Sequence, residues 1–108
     1  MLNMFRDCTS LVTVKLNDLE RAINGRETFA HVFQNCTSLK EVTLPKLWYT
    51  GNQAYCMTEC FRGCSSLEKA YMPSLTSVIN SYTLRFCFAN CPNLTYVDMG
   101  TISVIQSV

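Results

Sequence analysis

Apolar residues recur along the chain at fixed offsets. Leu11, Leu39, Leu67 and Leu94 are each followed, three and five positions on, by two more apolar residues. These are Val14 and Leu16, Val42 and Leu44, Ala70 and Met72, and Val97 and Met99. One other residue separates the members of each pair, which is the period-2 alternation of a strand with one buried face. Strands are therefore expected near 11–16, 39–44, 67–72 and 94–99. Another aliphatic follows three positions later, at Leu19, Leu47, Leu75 and Ile102. Upstream, Phe5, Phe33, Phe61 and Phe88 are preceded at minus one by Met4, Val32, Cys60 and Cys87. At minus four stand Phe29, Met57 and Leu84. That set has helical spacing and predicts a short helix or helical turn before each Phe.

These offsets belong to one repeated unit. Its most alike stretches are Phe5-Arg6-Asp7-Cys8-Thr9-Ser10-Leu11, Phe33-Gln34-Asn35-Cys36-Thr37-Ser38-Leu39, Phe61-Arg62-Gly63-Cys64-Ser65-Ser66-Leu67 and Phe88-Ala89-Asn90-Cys91-Pro92-Asn93-Leu94. The four Cys lie 28, 28 and 27 residues apart. Asp, Asn or Gly just before Cys suits a left-handed stop to a helix. Each repeat then reads as a helical turn, a corner and a strand, and cannot bury its apolar face alone. Stacking about four such units over residues 1–108 creates one continuous core with the strands in a parallel sheet. The fold class expected is an α/β repeat solenoid forming a single array.

The residues that carry the repeat also carry a family likeness. Phe-x-x-Cys-x-Ser-Leu followed by x-x-Val-x-Leu-Pro resembles the BspA-like (Treponema pallidum-type) leucine-rich repeats, with the Pro at Pro45 and Pro73. Met1-Leu2-Asn3-Met4-Phe5 is similar to the repeat entry of a related gut-bacterial subgroup. The resemblance covers nearly the whole chain. It implies a right-handed superhelix with the parallel sheet on its concave face and short helices or turns opposite. It also implies a secreted or cell-surface protein of a host-associated microbe, in a group that includes adhesins and has no common enzyme activity. The chain departs from the family in two ways. Its period of 28 or 27 residues is long for this group, though inside the roughly 20–29 residues of leucine-rich repeats in general, and Asn17 and Gly100 stand where Pro45 and Pro73 do. Both changes bear on the convex side.

Composition narrows the function classes. Of 108 residues 48% are hydrophobic and 16% charged, too apolar a mixture for intrinsic disorder. A net charge of +1 provides no electrostatic footprint for nucleic acid or an anionic membrane surface. No apolar run approaches the ~18 residues of a spanning helix. Residues 1–7 lack the basic start and apolar core of a signal peptide. The chain begins and ends inside a repeat without a polar cap. It is thus expected to be part of a longer array or to associate end to end.

Seven cysteines would by themselves point to a disulfide scaffold. The repeat changes that reading. Cys8, Cys36, Cys64 and Cys91 share one position and should stack as buried thiols, with Cys60 and Cys87 forming a second ladder. Cys56 has Thr28 and Thr83 as its counterparts, so it is the thiol the repeat does not require, and an exposed position is open to it. Cys56, Cys60 and Cys64 lack the spacing of a zinc site, and no metal or other cofactor is expected. His31, the one histidine, is expected to face solvent without a nucleophile or orienting acid, so no catalytic site is assigned. Two sequons, Asn35-Cys36-Thr37 and Asn93-Leu94-Thr95, fall on the structural corner and are read as coincidence.

The residues between the inward apolar ones define the binding candidates. One column is Thr13, Glu41, Lys69 and Tyr96; the other is Lys15, Thr43, Tyr71 and Asp98. Solenoids commonly bind along the concave surface that such columns line. Tyr71 and Tyr96 are the leading contacts, because Tyr offers large area at low entropic cost. Supporting the sheet by cross-strand packing is an equally weighted role for them. Trp48 and Tyr49, in the long stretch after the second strand, form a separate loop candidate. The expected partner is a protein or glycan, including a host-derived one. An intracellular interaction scaffold and an accessory targeting domain of a larger enzyme are the competing readings.

Overall fold

A computed structural model describes residues 2–21, 29–49, 55–76 and 84–100. It contains four three-residue strands: β1 (Thr13–Lys15), β2 (Glu41–Thr43), β3 (Lys69–Tyr71) and β4 (Tyr96–Asp98). They form one parallel sheet in sequence order. The register aligns equivalent repeat positions, with Val14 opposite Val42, Val42 opposite Ala70 and Ala70 opposite Val97. The strands lie inside the expected spans but are shorter. Leu11, Leu39, Leu67 and Leu94 sit outside them in turns, each donating its N–H to the carbonyl of the Cys three residues back.

The central repeats build the core. Phe33, Cys36, Leu39, Val42, Leu44 and Leu47 are fully buried, as are Phe61, Cys64, Leu67, Ala70, Met72 and Leu75. Most of their counterparts in the first and last repeats, among them Phe5, Leu11, Phe88 and Leu94, are half-buried, with a neighbouring repeat on one side only among the described residues. The phenylalanines stack face to face through the array. Centroid separations are 5.5 Å for Phe5 and Phe33, 5.3 Å for Phe33 and Phe61, and 5.2 Å for Phe61 and Phe88. The ring planes are nearly parallel, so one column of aromatic rings runs the length of the core.

The wall before each Phe is a run of turns, and no helix forms among the described residues. The apolar spacing is the one expected, but the backbone bonds run differently. Within a repeat, N–H groups bond three residues back, as Gln34 to His31 and Cys36 to Phe33. Alternate N–H groups leave the repeat altogether. Phe29, His31, Phe33 and Asn35 donate to the carbonyls of Cys56, Thr58, Cys60 and Arg62 at 2.8–3.0 Å. The same ladder links Phe5 and Asp7 to the second repeat, and Phe61 and Gly63 to the fourth. Each repeat thus hydrogen-bonds its neighbour along two walls, the sheet and the turn ladder.

This route requires left-handed backbone every fourth residue. Asp7, Asn35, Gly63 and Asn90, just before the Cys, all have φ between 58° and 75°. They are the residue types suited to that region. A second set, Asn3, His31, Glu59 and Phe86, has φ between 53° and 59° without sharing a side-chain type. At Gly63 a Cβ would run into Asn35 Oδ1 of the preceding repeat, so the side chain of Asn35 occupies the space a larger residue would need there. At Gly100 (φ +64°) a Cβ would lie 2.5 Å from the Leu75 carbonyl oxygen and 2.6 Å from that of Pro73. Gly in place of the prolines of the second and third repeats thus allows this turn to pass close over the preceding one.

Candidate binding face and the comparisons

Alternation in the strands divides each into one inward and two outward residues. Val14, Val42 and Ala70 point into the core, while the flanking residues form the two outward columns expected from the sequence. Registration places Glu41 beside Lys69 and Lys69 beside Tyr96 in one column. In the other, Lys15 lies beside Thr43, Thr43 beside Tyr71, and Tyr71 beside Asp98. Tyr71 and Tyr96 are 38% and 49% exposed, a large area of aromatic surface on adjacent strands. Opposite charges alternate around them: Lys15, Glu41, Lys69 and Asp98. Among the described residues none of these charges pairs with another. Asp98 instead turns one carboxylate oxygen onto its own turn, accepting from the Gly100 N–H at 2.9 Å.

Trp48 and Tyr49 lie past β2, where a second short ladder begins. Trp48 donates its N–H to Glu20 and accepts from the N–H of Thr76, and Arg21 bridges in parallel to Tyr49. The rings are tilted against each other at 5.4 Å. The Arg21 guanidinium lies 5.4 Å from the Trp48 centroid and 5.5 Å from that of Tyr49. Trp48 is 40% exposed, so it presents an apolar surface beside a cation. The intervening residues 50–54 of this loop candidate lie outside the described residues.

His31 does not simply face solvent, as the sequence led one to expect. Its Nδ1 sits 2.9 Å from Gln34 Oε1 and 3.4 Å from Glu59 Oε2. Both neighbours are acceptors, so Nδ1 carries the proton. Gln34 Nε2 also donates to Glu59 Oε2, and Arg62 donates to Glu59 Oε1 at 2.9 Å. The mutually bonded group holds two turn segments together.

All seven cysteines are among the described residues and none forms a disulfide. Cys36, Cys64 and Cys91 donate their S–H to the carbonyls of Phe5, Phe33 and Phe61, each at 3.0 Å. Each of these thiols therefore joins its own repeat to the one before. Burial pushes Cys36 up to about 11 and Cys64 up to about 12, and raises Cys60, Cys87 and Cys91 as well. These groups are protonated and poorly nucleophilic. Cys56, for which the repeat left exposure open, is fully buried. Among the described residues no three His, Cys, Asp or Glu side chains gather as a metal site. No helix there is long and apolar enough to cross a membrane. Of the sequon asparagines, Asn35 donates to Asp7 Oδ1 and Asn93 to the Ser65 carbonyl, both across a repeat boundary.

The repeat sequence has a match among known families. The family model for the BspA-type leucine-rich repeat region matches residues 2–107. The chain belongs to this family. The model counts six copies of its own unit, against four strands among the described residues. The strand register, stepping by 28, 28 and 27 residues, is the period of the fold. No curated protein and no solved structure matches the chain.

Proposed function

We propose that this BspA-type leucine-rich repeat array is a non-catalytic adhesion or protein-interaction module of a secreted or cell-surface bacterial protein. It binds a protein or glycan ligand through the strand face, on the concave side of a right-handed superhelix. The observation that carries the reading is the placement of exposed Tyr71 and Tyr96 on adjacent strands, amid charges that do not pair among themselves. Such a face offers aromatic area with free polar specificity. Lys15, Glu41, Thr43, Lys69 and Asp98 frame it, and Trp48 and Tyr49 supply a second, separate contact. The surface location rests on the family, whose members are typically surface or secreted proteins.

Protease shaving of intact producer cells, with detection of this chain's peptides by mass spectrometry, tests the location. Release without lysis is expected. Release only after lysis, with surface controls freed normally, would overturn the adhesin reading and favour an internal scaffold, which the absence of disulfides among seven thiols also fits. For the face itself, Tyr71→Ala and Tyr96→Ala should each weaken attachment to the cell or matrix surface that the wild-type chain binds. Unaltered attachment by the double variant would move the site off the sheet. End-to-end stacking of arrays is part of the same proposal, since Phe5, Leu11, Phe88 and Leu94 are only partly buried at the two ends of the described array. A sharp monomer at high concentration in size-exclusion chromatography would count against it.

A further inference from the structure

Phe86 is out of keeping with its position. It occupies the column of left-handed residues that also holds Asn3, His31 and Glu59, with φ of 53°. A bulky aromatic at positive φ is a strained outlier, whereas Asn adopts the region readily. Its side chain gains no core burial in exchange: neighbouring Leu84 and Cys87 are buried, while Phe86 is 39% exposed. Two cations converge on the ring. The Arg85 guanidinium is 5.0 Å from its centroid and that of Arg62 is 5.7 Å away. Arg62 shares its charge with Glu59 through a 2.9 Å bond. Arg85, among the described residues, has no carboxylate partner.

We infer that Arg85 and Phe86, flanked by Arg62, form a second docking site on the turn wall, away from the strand face, for an acidic peptide segment. Its contact pair is a carboxylate next to an apolar side chain. The carboxylate lies in the planar fork of Arg85, which matches it with two parallel N–H bonds. The apolar neighbour covers the open part of the Phe86 ring. Charge decides between partner classes. One cation is unbalanced here and the chain as a whole carries only +1, too little to hold a polyanion such as a nucleic acid or a heavily sulfated glycan. A single carboxylate in a peptide is the anion this site balances.

The strain provides an unusual test, because the ring and the backbone pull in opposite directions. The probe is a glycine-capped peptide of alternating glutamate and phenylalanine, compared with the same peptide carrying glutamine for glutamate. Binding is read by fluorescence anisotropy at low and at physiological salt. The wild-type chain is expected to bind the glutamate peptide at least tenfold more tightly than the glutamine peptide. Arg85→Gln and Phe86→Asn should each lose most of that difference. Phe86→Asn should at the same time raise the melting temperature by a few degrees, since Asn3 already adopts this geometry. Equal binding of both peptides, or binding unaffected by R85Q and F86N, would overturn the proposal. So would a preference for sulfated oligosaccharide over the glutamate peptide. A lower melting temperature in F86N would show instead that the ring is held for packing beneath the two arginine stems, and would equally overturn it.

Discussion

At the scale of single residues, Cys64 shows why a repeat position would favour cysteine. Its side chain fills a fully buried site, and its S–H reaches the Phe33 carbonyl at 3.0 Å. That same oxygen already accepts the N–H of Cys36. A small side chain thus supplies apolar volume and a weak second bond to one carbonyl. Cys64→Ala should cost about 1–2 kcal/mol, from lost burial and a lost bond. The thiols also set an alkaline limit. In the unfolded chain they release protons near the ordinary value of 9.0, whereas burial holds Cys36 to about 11 and Cys64 to about 12. The native state therefore binds more protons than the unfolded state across that window, and stability falls as pH rises. The contribution is fully present below about pH 8.5 and is lost between there and pH 12. Urea midpoints measured from pH 7 to 10.5 should decline. The slope should flatten in a Cys36→Ala, Cys64→Ala double variant, which controls for tyrosine ionisation. An unchanged slope would show that these thiols do not couple to folding.

At the scale of elements, the sequence disclosed the strands more fully than the wall opposite them. Val14-x-Leu16 and its three counterparts gave the inward alternation, and the steps of 28, 28 and 27 residues between cysteines gave the register. Asp7, Asn35, Gly63 and Asn90 marked a left-handed backbone, because their side chains favour it. For the turn wall the spacing left helix and turn undecided, and the described residues form turns, for a physical reason. Apolar residues at minus four, minus one and zero line one side of a helix, but equally one side of successive turns. What distinguishes them is where Phe33 sends its N–H, and that bond goes to Cys60 in the next repeat. A choice made across repeat boundaries leaves little trace in local spacing. The second left-handed column was silent too, since Asn3, His31, Glu59 and Phe86 share no chemistry. Its one signal was an aromatic with no apolar counterpart in the other copies. The outward strand columns were legible as positions, while the bonded group around His31 depends on a side-chain approach between residues 28 apart. The ring column offers a direct test of how the elements share stability. Phe33 is fully buried between Phe5 and Phe61, so Phe33→Ala should cost about 3–5 kcal/mol. Phe88 is half-buried and stacks on Phe61 alone among the phenylalanines described. Phe88→Ala should cost less than half as much by denaturant titration. Equal losses would mean that the last repeat is packed as tightly as the second.

At the scale of the whole molecule, the hydrogen bonds of the turn wall give the array a direction. Each repeat donates N–H groups to the repeat after it: Phe5 to Val32, Phe33 to Cys60, and Phe61 to Cys87. The equivalent N–H groups of the last turn segment, Phe88 and Asn90, reach no acceptor among the described residues. One end of the described array therefore presents carbonyls and the other presents N–H groups, which is the complementarity by which further repeats stack. Stability in such a molecule is a sum of neighbour interfaces, so opening should begin where an interface is missing. Hydrogen exchange makes this visible residue by residue. The amides of Phe33, Asn35, Phe61 and Gly63 should exchange roughly a hundredfold more slowly than those of Phe88 and Asn90, a gap of about 3 kcal/mol in opening free energy. Concentration separates two explanations of any other result. If Phe88 and Asn90 are slow at every concentration, part of the chain itself covers their N–H groups. If their protection grows as the protein is concentrated, while that of the central amides stays level, then a second array is supplying the missing carbonyls and the ends stack in the direction set by the backbone.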